Sequence, residues 1–344
     1  MSGATAKAKT TVRKSGAGKS RHLDPQMIPT IAAVVIFILM LIMGQVLFGT
    51  YIRLGFISSL FIDHAYLIIL AVAMTLPVLT GGIDLSVGAI VSITSVVGVK
   101  MTIAGTPSWI AMIAMIVIGM FFGLLAGTLI EEFNMQPFIA TLSTMFLARG
   151  ISSIISTDSL PLPQDNNFDW VADPIKIIDN PKIANDLTFN MGVVIAIVVV
   201  VFGYILLHKT RTGRTIYAIG GSRPSAELMG LPVKRTNYII YLTSGTLAAI
   251  ASIVYTANIG SAKNTTGVGW ELDAVASVVI GGTIVTGGFG YVLGSVIGAL
   301  VRSTIDPLTS DFGVPAEWTT IVVGLMILVF VVLQRAVTAF NKKE

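Results

Sequence analysis

One carboxylate lies inside a long apolar stretch of this 344-residue sequence. Asp84 is the only side chain in residues 65–98 that is charged at neutral pH when exposed to water, and it follows a glycine pair in the segment LTGGIDLSVGAI at 79–90. An acid in such surroundings can relay protons or couple to an ion, line a polar pathway, or accept hydrogen bonds from the first amides of a helix. The pair Gly81 and Gly82 favours a local break of the backbone just before it.

The composition indicates which medium surrounds this acid. The chain is 54% hydrophobic and 12% charged, with a mean hydropathy of +0.84. A soluble domain carries about 25% charged residues, and a helix that spans a membrane needs about 20 apolar ones. We therefore predict an all-α, polytopic integral membrane protein. The sequence contains no cysteine, which excludes disulfide and thiol chemistry.

Ten apolar stretches predict ten transmembrane helices. The predicted spans are 27–48, 64–80, 86–104, 108–130, 137–155, 190–208, 237–257, 270–285, 288–305 and 317–335. The short spans near 81 and 287 are candidates for broken or re-entrant segments, because glycine is frequent there. The chain then divides into a disordered basic tail at 1–26, a transmembrane domain at 27–335 and a C-terminal tail at 336–344.

The distribution of basic residues predicts the orientation. The tail at 1–26 and the loop at 208–237 each carry six Lys and Arg, whereas the loop at 156–188 carries two Lys and six Asp. Basic loops stay in the cytoplasm. We expect both termini and the 208–237 loop to be cytoplasmic and the 156–188 loop to lie outside, in a multi-pass protein of the cell membrane.

Within a membrane, two roles remain open for Asp84, and they are compatible. It caps the helix that begins near Leu85, or it lies on a translocation pathway or gate with Gly81, Gly82 and Ser86. Exposure to lipid is excluded, because a central acid costs about 2.5–3.5 kcal/mol on insertion scales.

Two further features of the sequence are a short capped helix and a repeated motif. The basic loop contains a short helix over Pro224–Met229, with Ser222 as its N-cap and Gly230 after its end. The sequence TGGIDLSVGAIVSI at 80–93 resembles TGGFGYVLGSVIGAL at 286–300, which suggests an internal repeat of the kind found in transporters.

For the other charged residues we predict positions in solvent or at helix ends, without a functional role. Glu131 and Glu132 lie in a short turn, EEFNMQPF, and we interpret them as solvated. Glu271 and Asp273 begin a span, where acids suit the helix dipole. The histidines are far apart in the sequence, the motif GKS at 18–20 lacks the rest of a phosphate-binding loop, and no Ser/His/Asp set is apparent. We predict no catalytic residue, no metal site and no cofactor bound by this chain.

Four motifs in order resemble the permease subunits of ribose-type bacterial ABC sugar importers. They are LTGGIDLSVGAI, QPFIATLSTMFLARG at 136–150, YAIGGSRPSAELMG at 217–230 and ELDAVASVVIGGTIVTGGFG at 271–290. The closing part, WTTIVVGLMILVFVVLQR at 318–335, is most similar to the galactofuranose and fructose members. The resemblance covers nearly all of 27–335 and does not include the tail.

The resemblance implies a division of labour. The permease pairs with a second permease, here a different chain, and with two ATP-binding subunits that hold ATP and Mg²⁺. An extracytoplasmic sugar-binding protein delivers a monosaccharide such as fructose, galactofuranose, ribose or xylose. The surrounding partner is membrane lipid, and no nucleic acid is involved. The short cytoplasmic helix corresponds to the family's ATPase-coupling segment, whose residues here are Ser222, Arg223, Pro224, Glu227, Leu228 and Gly230.

Other functions stay open at this point. A secondary carrier driven by an ion gradient would need titrating acids within the membrane, and among the acidic residues only Asp84 lies deep in a predicted span. A membrane-embedded enzyme would need an acid–base set, which is not apparent. Within the family, permeases for amino acids or nucleosides are alternatives to a sugar permease.

Overall fold

The computed structural model describes residues 27–163, 168–178, 187–315 and 317–341. The predicted tail at 1–26 lies outside the described residues, as do the last three residues of the chain. Thirteen helices and four short strands follow one another within the described ranges. The all-α membrane architecture predicted from the composition is confirmed.

The longer helices account for most of the chain. They are α1 (Ile28–Phe48), α2 (Leu54–Leu79), α3 (Val87–Ile103), α4 (Ser108–Glu131), α5 (Pro137–Ile155), α7 (Met191–Lys209), α10 (Val233–Ile259), α12 (Val292–Asp311) and α13 (Glu317–Asn341). The shorter helices are α6 (Asp169–Ala172), α8 (Arg211–Gly221), α9 (Arg223–Leu228) and α11 (Trp270–Ile280).

Two small antiparallel pairs of strands tie the loops together on the side opposite α8 and α9. Strand β1 (Leu160–Pro161) pairs with β4 (Ser261–Ala262), with Leu160 opposite Ala262. Strand β2 (Ile175–Ile178) pairs with β3 (Leu187–Phe189) through a bulge between Lys176 and Ile178.

Seven of the described helices are long and apolar enough to cross a membrane: α1, α2, α4, α5, α7, α10 and α13. Each of the ten predicted spans contains a helix, but three spans need correction. The helix predicted at 64–80 begins ten residues earlier, at Leu54. The span predicted at 270–285 is helical only over Trp270–Ile280, which at 1.5 Å per residue covers about half of the hydrocarbon thickness. The span predicted at 288–305 is instead a helix over Val292–Asp311.

Helix α10 is the central element of the bundle, and it packs on α4 and α2. Small residues permit a close approach of α4 to α10. A methyl group at Gly119 would collide with the carbonyl oxygen of Gly245, and one at Gly245 would lie 2.9 Å from the Cα of Gly123. Small residues at helix interfaces are the usual means of close packing in membranes, since lipid provides no hydrophobic drive.

Candidate translocation and coupling site

The first functional element is a break between α2 and α3 at residues 80–86. Pro77, in the last turn of α2, has no amide hydrogen to donate, and the Gly82 amide turns back to donate to the Pro77 carbonyl at 3.0 Å. Gly81 has a φ of 80°, a conformation that disfavours residues with a side chain. The glycine pair therefore produces the break that the sequence predicted.

Asp84 is fully buried within this break. Its Oδ1 accepts from the Ser86 amide at 3.0 Å and from the Ser86 hydroxyl at 2.5 Å. Its Oδ2 accepts from the Ser244 hydroxyl of α10 at 2.6 Å. Both carboxylate oxygens thus have partners, and the acid joins the start of α3 to the middle of α10. Ser86 is buried beside it, whereas Gly81 is exposed.

A second break separates α11 from α12 at residues 281–291 and is rich in glycine with positive φ. Neighbouring helices satisfy its backbone. The Thr30 hydroxyl of α1 donates to the Gly281 carbonyl at 2.9 Å, and Gln334 of α13 donates to the Thr283 carbonyl at 3.3 Å. Irregular backbone at membrane depth is tolerated where protein buries it in this way.

The two breaks meet. The Gly288 amide donates to the Leu79 carbonyl at 2.9 Å. Gly81 and Gly287, which occupy equivalent places in the two TGG motifs, have φ values of 80° and 87°. The corresponding breaks and the shared left-handed glycine support the internal repeat suggested by the sequence.

Helix α8 touches both breaks at once. A methyl group at Gly220 would collide with the Leu79 carbonyl oxygen and with the Gly288 amide. The Tyr217 hydroxyl donates to the Gly290 carbonyl at 2.7 Å, and burial raises the pKa of Tyr217 to about 12. A displacement of α8 must therefore move the backbone at the point where the two breaks meet, because these atoms are in close contact.

This helix was missed in the sequence, where residues 208–237 were interpreted as a loop with one short helix. A signal was present: Thr210 caps α8 by accepting from the Gly213 amide at 3.1 Å, and Ile216 and Ile219 repeat at helical spacing. The abundance of arginine in the segment hid this amphipathic pattern.

Helix α9 lies where the short helix was predicted, over Arg223–Leu228. The Ser225 amide donates to the Ser222 hydroxyl at 3.3 Å, and Gly230 follows with a φ of 72°. Leu228 and Met229 are 90% and 67% exposed at the tip. The predicted coupling residues thus form one protruding turn that carries two uncovered apolar side chains.

Arg223 fixes α9 to the rest of the bundle. Its guanidinium pairs with Glu227 at 3.0 Å and with Glu131, at the end of α4, at 3.2 Å. Asn237 of α10 also donates to Glu131, whose side chain is only 4% exposed. The interpretation of Glu131 as solvated is wrong, because α9 and α10 fold over it.

Glu132 differs from its neighbour. It is 47% exposed and pairs with Lys234 at 2.8 Å. Hydrogen bonds from Lys234 and Tyr238 hold the pKa of Glu132 below its ordinary value. The expectation of a solvated residue holds for Glu132 and fails only for Glu131.

A partly exposed ion-pair network lies at the other end of the bundle. Arg302 of α12 pairs with Asp273 of α11 at 2.7 Å and with Asp306 at 2.8 Å. His64 of α2 lies 3.7 Å from Asp306. Asp273 lies at a helix end, as predicted, whereas the role of Arg302 was not predicted from the sequence. The spacing of Arg302 and Asp306, four residues apart, was a usable signal for it.

The predicted site residues form two groups that do not touch directly. The pathway group of Asp84, Ser86, Gly81 and Gly82 lies at the first break, and the coupling group of 222–230 lies on α9. Helix α8 connects them, because it packs on both α2 and α9. Among the described residues no group of His, Asp and Glu is arranged to hold a metal ion.

The sequence of this chain is similar to those of several known proteins. Residues 56–331 match the family described as branched-chain amino acid transport system, permease component. The fructose import permease protein FruG of Bifidobacterium longum is 83% identical over 321 residues, which cover 93% of this chain and 94% of that protein.

More distant relatives have similar coverage. The inner membrane ABC transporter permease protein YjfF of Escherichia coli is 37% identical, over 82% of this chain and 84% of that protein. The ribose import permease protein RbsC of Escherichia coli is 36% identical, over 80% of this chain and 82% of that protein. No solved structure matches the chain.

Proposed function

This chain belongs to the family of transport permease components that includes ribose and fructose import permeases. We propose that the sugar it carries across the cytoplasmic membrane is fructose. The chain is a multi-pass transport subunit of an ABC importer and not an enzyme. Membership implies ATP-binding and substrate-binding partner proteins. The similarity to the Bifidobacterium fructose permease along nearly the whole of both chains is the observation that carries the choice of sugar.

We further propose that α9 is the helix through which an ATP-binding subunit acts. Leu228 and Met229 lie at its tip, and most of each side chain is exposed. Exposed apolar side chains rimmed by charge, here Arg223 and Glu227, are typical of a docking surface. In this proposal they enter a cleft of the ATP-binding subunit.

Helix α8 then transmits the motion. When the ATP-binding subunits close, α9 and α8 move together, and Gly220 and Tyr217 carry the displacement to the two breaks. The spans rearrange as rigid bodies and open the pathway to the opposite side. No bond in the sugar is made or broken. Differential binding of the partners to the two states of the permease sets which state is populated at each step, and ATP hydrolysis supplies the free energy for net import.

The assembly in this proposal contains two ATP-binding subunits, which hold ATP and Mg²⁺, and a second permease of different sequence. A sugar-binding protein delivers fructose on the outer side. Both termini and α8–α9 face the cytoplasm, because basic residues concentrate at 1–26 and 208–237. Asp84, Ser86, Gly81 and Gly82 lie beside the pathway, with Asp84 holding the first break in shape.

Uptake of radiolabelled sugars into vesicles tests the proposal. The vesicles contain this chain, its co-purifying partners and candidate binding proteins, and the panel includes fructose, ribose, xylose and galactofuranose. We expect fructose uptake that requires ATP and one binding protein. The double variant Leu228→Ser/Met229→Ser is expected to lose uptake and to retain less ATP-binding subunit in a pull-down, while its thermal unfolding is unchanged.

Two results would contradict parts of the proposal. Uptake by this chain alone, driven by a proton or sodium gradient, would replace the ATP-driven importer with a secondary carrier. Uptake of another sugar in preference to fructose would leave the importer in place and overturn the substrate.

A further inference from the structure

A cavity near α8 is lined by basic residues that have no role in the proposed transport of sugar. A cavity of about 580 Å³ lies between the start of α8 and the start of α10. Three arginines line it: Arg211 and Arg214 from α8, and Arg235 from α10. Thr212 and Thr215 add hydroxyl groups, and Ile239 forms the apolar end of the lining.

Among the described residues, no carboxylate neutralises the three guanidinium groups. No carboxylate lines the cavity. Within the described parts of the chain, none of the three arginines has an ion pair, whereas the nearby Arg223 and Lys234 are each paired with a glutamate. Three like charges around one cavity repel each other, so an anion there would relieve the repulsion and gain three charge-assisted contacts.

The cavity continues along α10 into a stripe of isoleucine and threonine residues, in which the Thr246 hydroxyl is bound to the Leu242 carbonyl of the same helix. Beyond Ile239, the partly exposed residues of α10 recur at helical spacing at Thr243, Thr246 and Ile250. At 100° per residue, this stripe lies between the face that meets α4 at Gly245 and the face that meets α7 at Val254. The exposed sides of α4 and α7 are also apolar, so the stripe forms the floor of a groove with apolar walls.

We propose that this cavity binds the headgroup of one anionic phospholipid, whose acyl chain lies along the α10 stripe. The phosphate would sit among Arg211, Arg214 and Arg235, at the cytoplasmic end of the spans in the orientation of the proposed function, on which this inference rests. Basic cavities between transmembrane helices on that side are suited to acidic headgroups. The continuity of charge with an apolar groove favours a lipid over a soluble anion or a protein surface.

A bound lipid would also have a mechanical consequence. Arg211 and Arg214 lie in the first turns of α8, and Gly220 at its other end touches both breaks. A headgroup that binds both arginines and Arg235 ties α8 to α10. The lipid would therefore hold the connecting helix in the position from which it acts on the breaks.

Lipid retention by the purified full-length chain tests this inference. The chain is titrated with phosphatidylglycerol or phosphatidylcholine in mixed micelles, and bound lipid is counted by native mass spectrometry. We expect one phosphatidylglycerol to be retained, with no comparable retention of phosphatidylcholine and no displacement by millimolar inorganic phosphate. Each single change Arg211→Gln, Arg214→Gln or Arg235→Gln should weaken binding about fivefold, and the triple variant on the order of a hundredfold.

Arg335→Gln is the matched control, because Arg335 is exposed at the same end of the bundle but outside this cavity. Its lipid retention should equal that of the wild type. The single variants keep the test valid if the triple variant fails to fold, which thermal unfolding would reveal.

Three results would overturn the inference: equal retention of the two lipids, unchanged retention in the variants, or displacement by inorganic phosphate. A triple variant that keeps phosphatidylglycerol but no longer binds the ATP-binding subunit would assign the arginines to that protein interface instead. The lipid measurement uses no transport, so its failure leaves the importer untouched, and failure of ATP-driven uptake leaves the lipid result standing.

Discussion

Asp84 is an acidic residue buried inside an apolar stretch of the chain, and its hydrogen-bond partners explain how the burial is tolerated. Three donors from Ser86 and Ser244 reach its two oxygens. A buried polar group with all its hydrogen bonds made is stable, whereas removal of one partner leaves the others with the full cost of desolvation. The acid thus holds the start of α3 against α10, and the break depends on it.

Replacement of Asp84 by alanine should lower uptake strongly and lower the unfolding temperature. It leaves the hydroxyls of Ser86 and Ser244 without an acceptor in a buried site, at a cost of about 1–3 kcal/mol for each unsatisfied group. Asp84→Asn should retain most of the activity, because its amide oxygen accepts from Ser86 and its amide nitrogen can donate to Ser244. ATP-driven uptake and thermal unfolding in the same membranes measure both effects.

The comparison of these two variants separates two roles for the acid. Loss of uptake in Asp84→Asn, with normal stability, would show that the negative charge itself is needed and would make Asp84 an ion-coupling residue. Normal uptake in a normally expressed Asp84→Ala would contradict its role in shaping the break.

Among the helices, α8 has a contact surface that a single methyl group would disturb. Gly220 lies against the Leu79 carbonyl and the Gly288 backbone, whereas the adjacent Gly221 has open space around its Cα. We expect Gly220→Ala to push α8 away from the breaks and to reduce transport at least tenfold, because backbone atoms cannot yield as a flexible side chain would. ATP hydrolysis by the assembled complex should continue, uncoupled from uptake.

Gly221→Ala is the matched control for this prediction. It makes the same chemical change one position along the helix, without a collision and without a positive φ. Its uptake should equal that of the wild type. Equal losses in the two variants would mean that the helix, rather than its contact with the breaks, was disturbed.

The attachment of α9 gives a second matched pair. Glu131 is buried and bound by Arg223 and Asn237, while Glu132 is half exposed and bound by Lys234. Glu131→Ala should release α9 and leave a partly exposed arginine without its buried partner, so uptake should fall severalfold. Glu132→Ala should change uptake little, since exposed ion pairs contribute about 0–1 kcal/mol. A greater loss in Glu132→Ala would reject this ranking.

Local patterns in the sequence were sufficient for the elements that depend on them. The glycine pairs predicted both breaks, and Ser222 with Gly230 predicted α9. Contacts between residues that are far apart in the sequence could not be predicted from these local patterns. Glu131 is buried only because Arg223 and Asn237, about a hundred residues away, close over it. Arg302 likewise finds Asp273 through the packing of α12 on α11, which no spacing rule along the chain specifies.

The two ends of the molecule differ in their secondary structure and in their charged residues. One end carries α8, α9 and the clusters of arginine around them, and the other carries the strands and the network of Arg302 with Asp273 and Asp306. The two breaks lie between these ends and touch each other. Such an arrangement lets a force applied at one end reshape the middle, provided that the end with α9 faces the ATP-binding subunit in the cytoplasm.

The orientation can be tested directly, because the chain contains no cysteine and a single introduced thiol is its only reactive one. Ser225→Cys on α9 and Ser159→Cys beside β1 both place the thiol at an exposed position. A membrane-impermeant maleimide should label the variant at 159 in intact cells and the variant at 225 only after the membrane is permeabilised. The reverse pattern would invert the bundle, place the arginine cavity in the outer leaflet and remove α9 from any cytoplasmic ATPase. Labelling of both variants in intact cells would instead show leaky cells, which the cysteine-free parent chain and a cytoplasmic marker protein would detect.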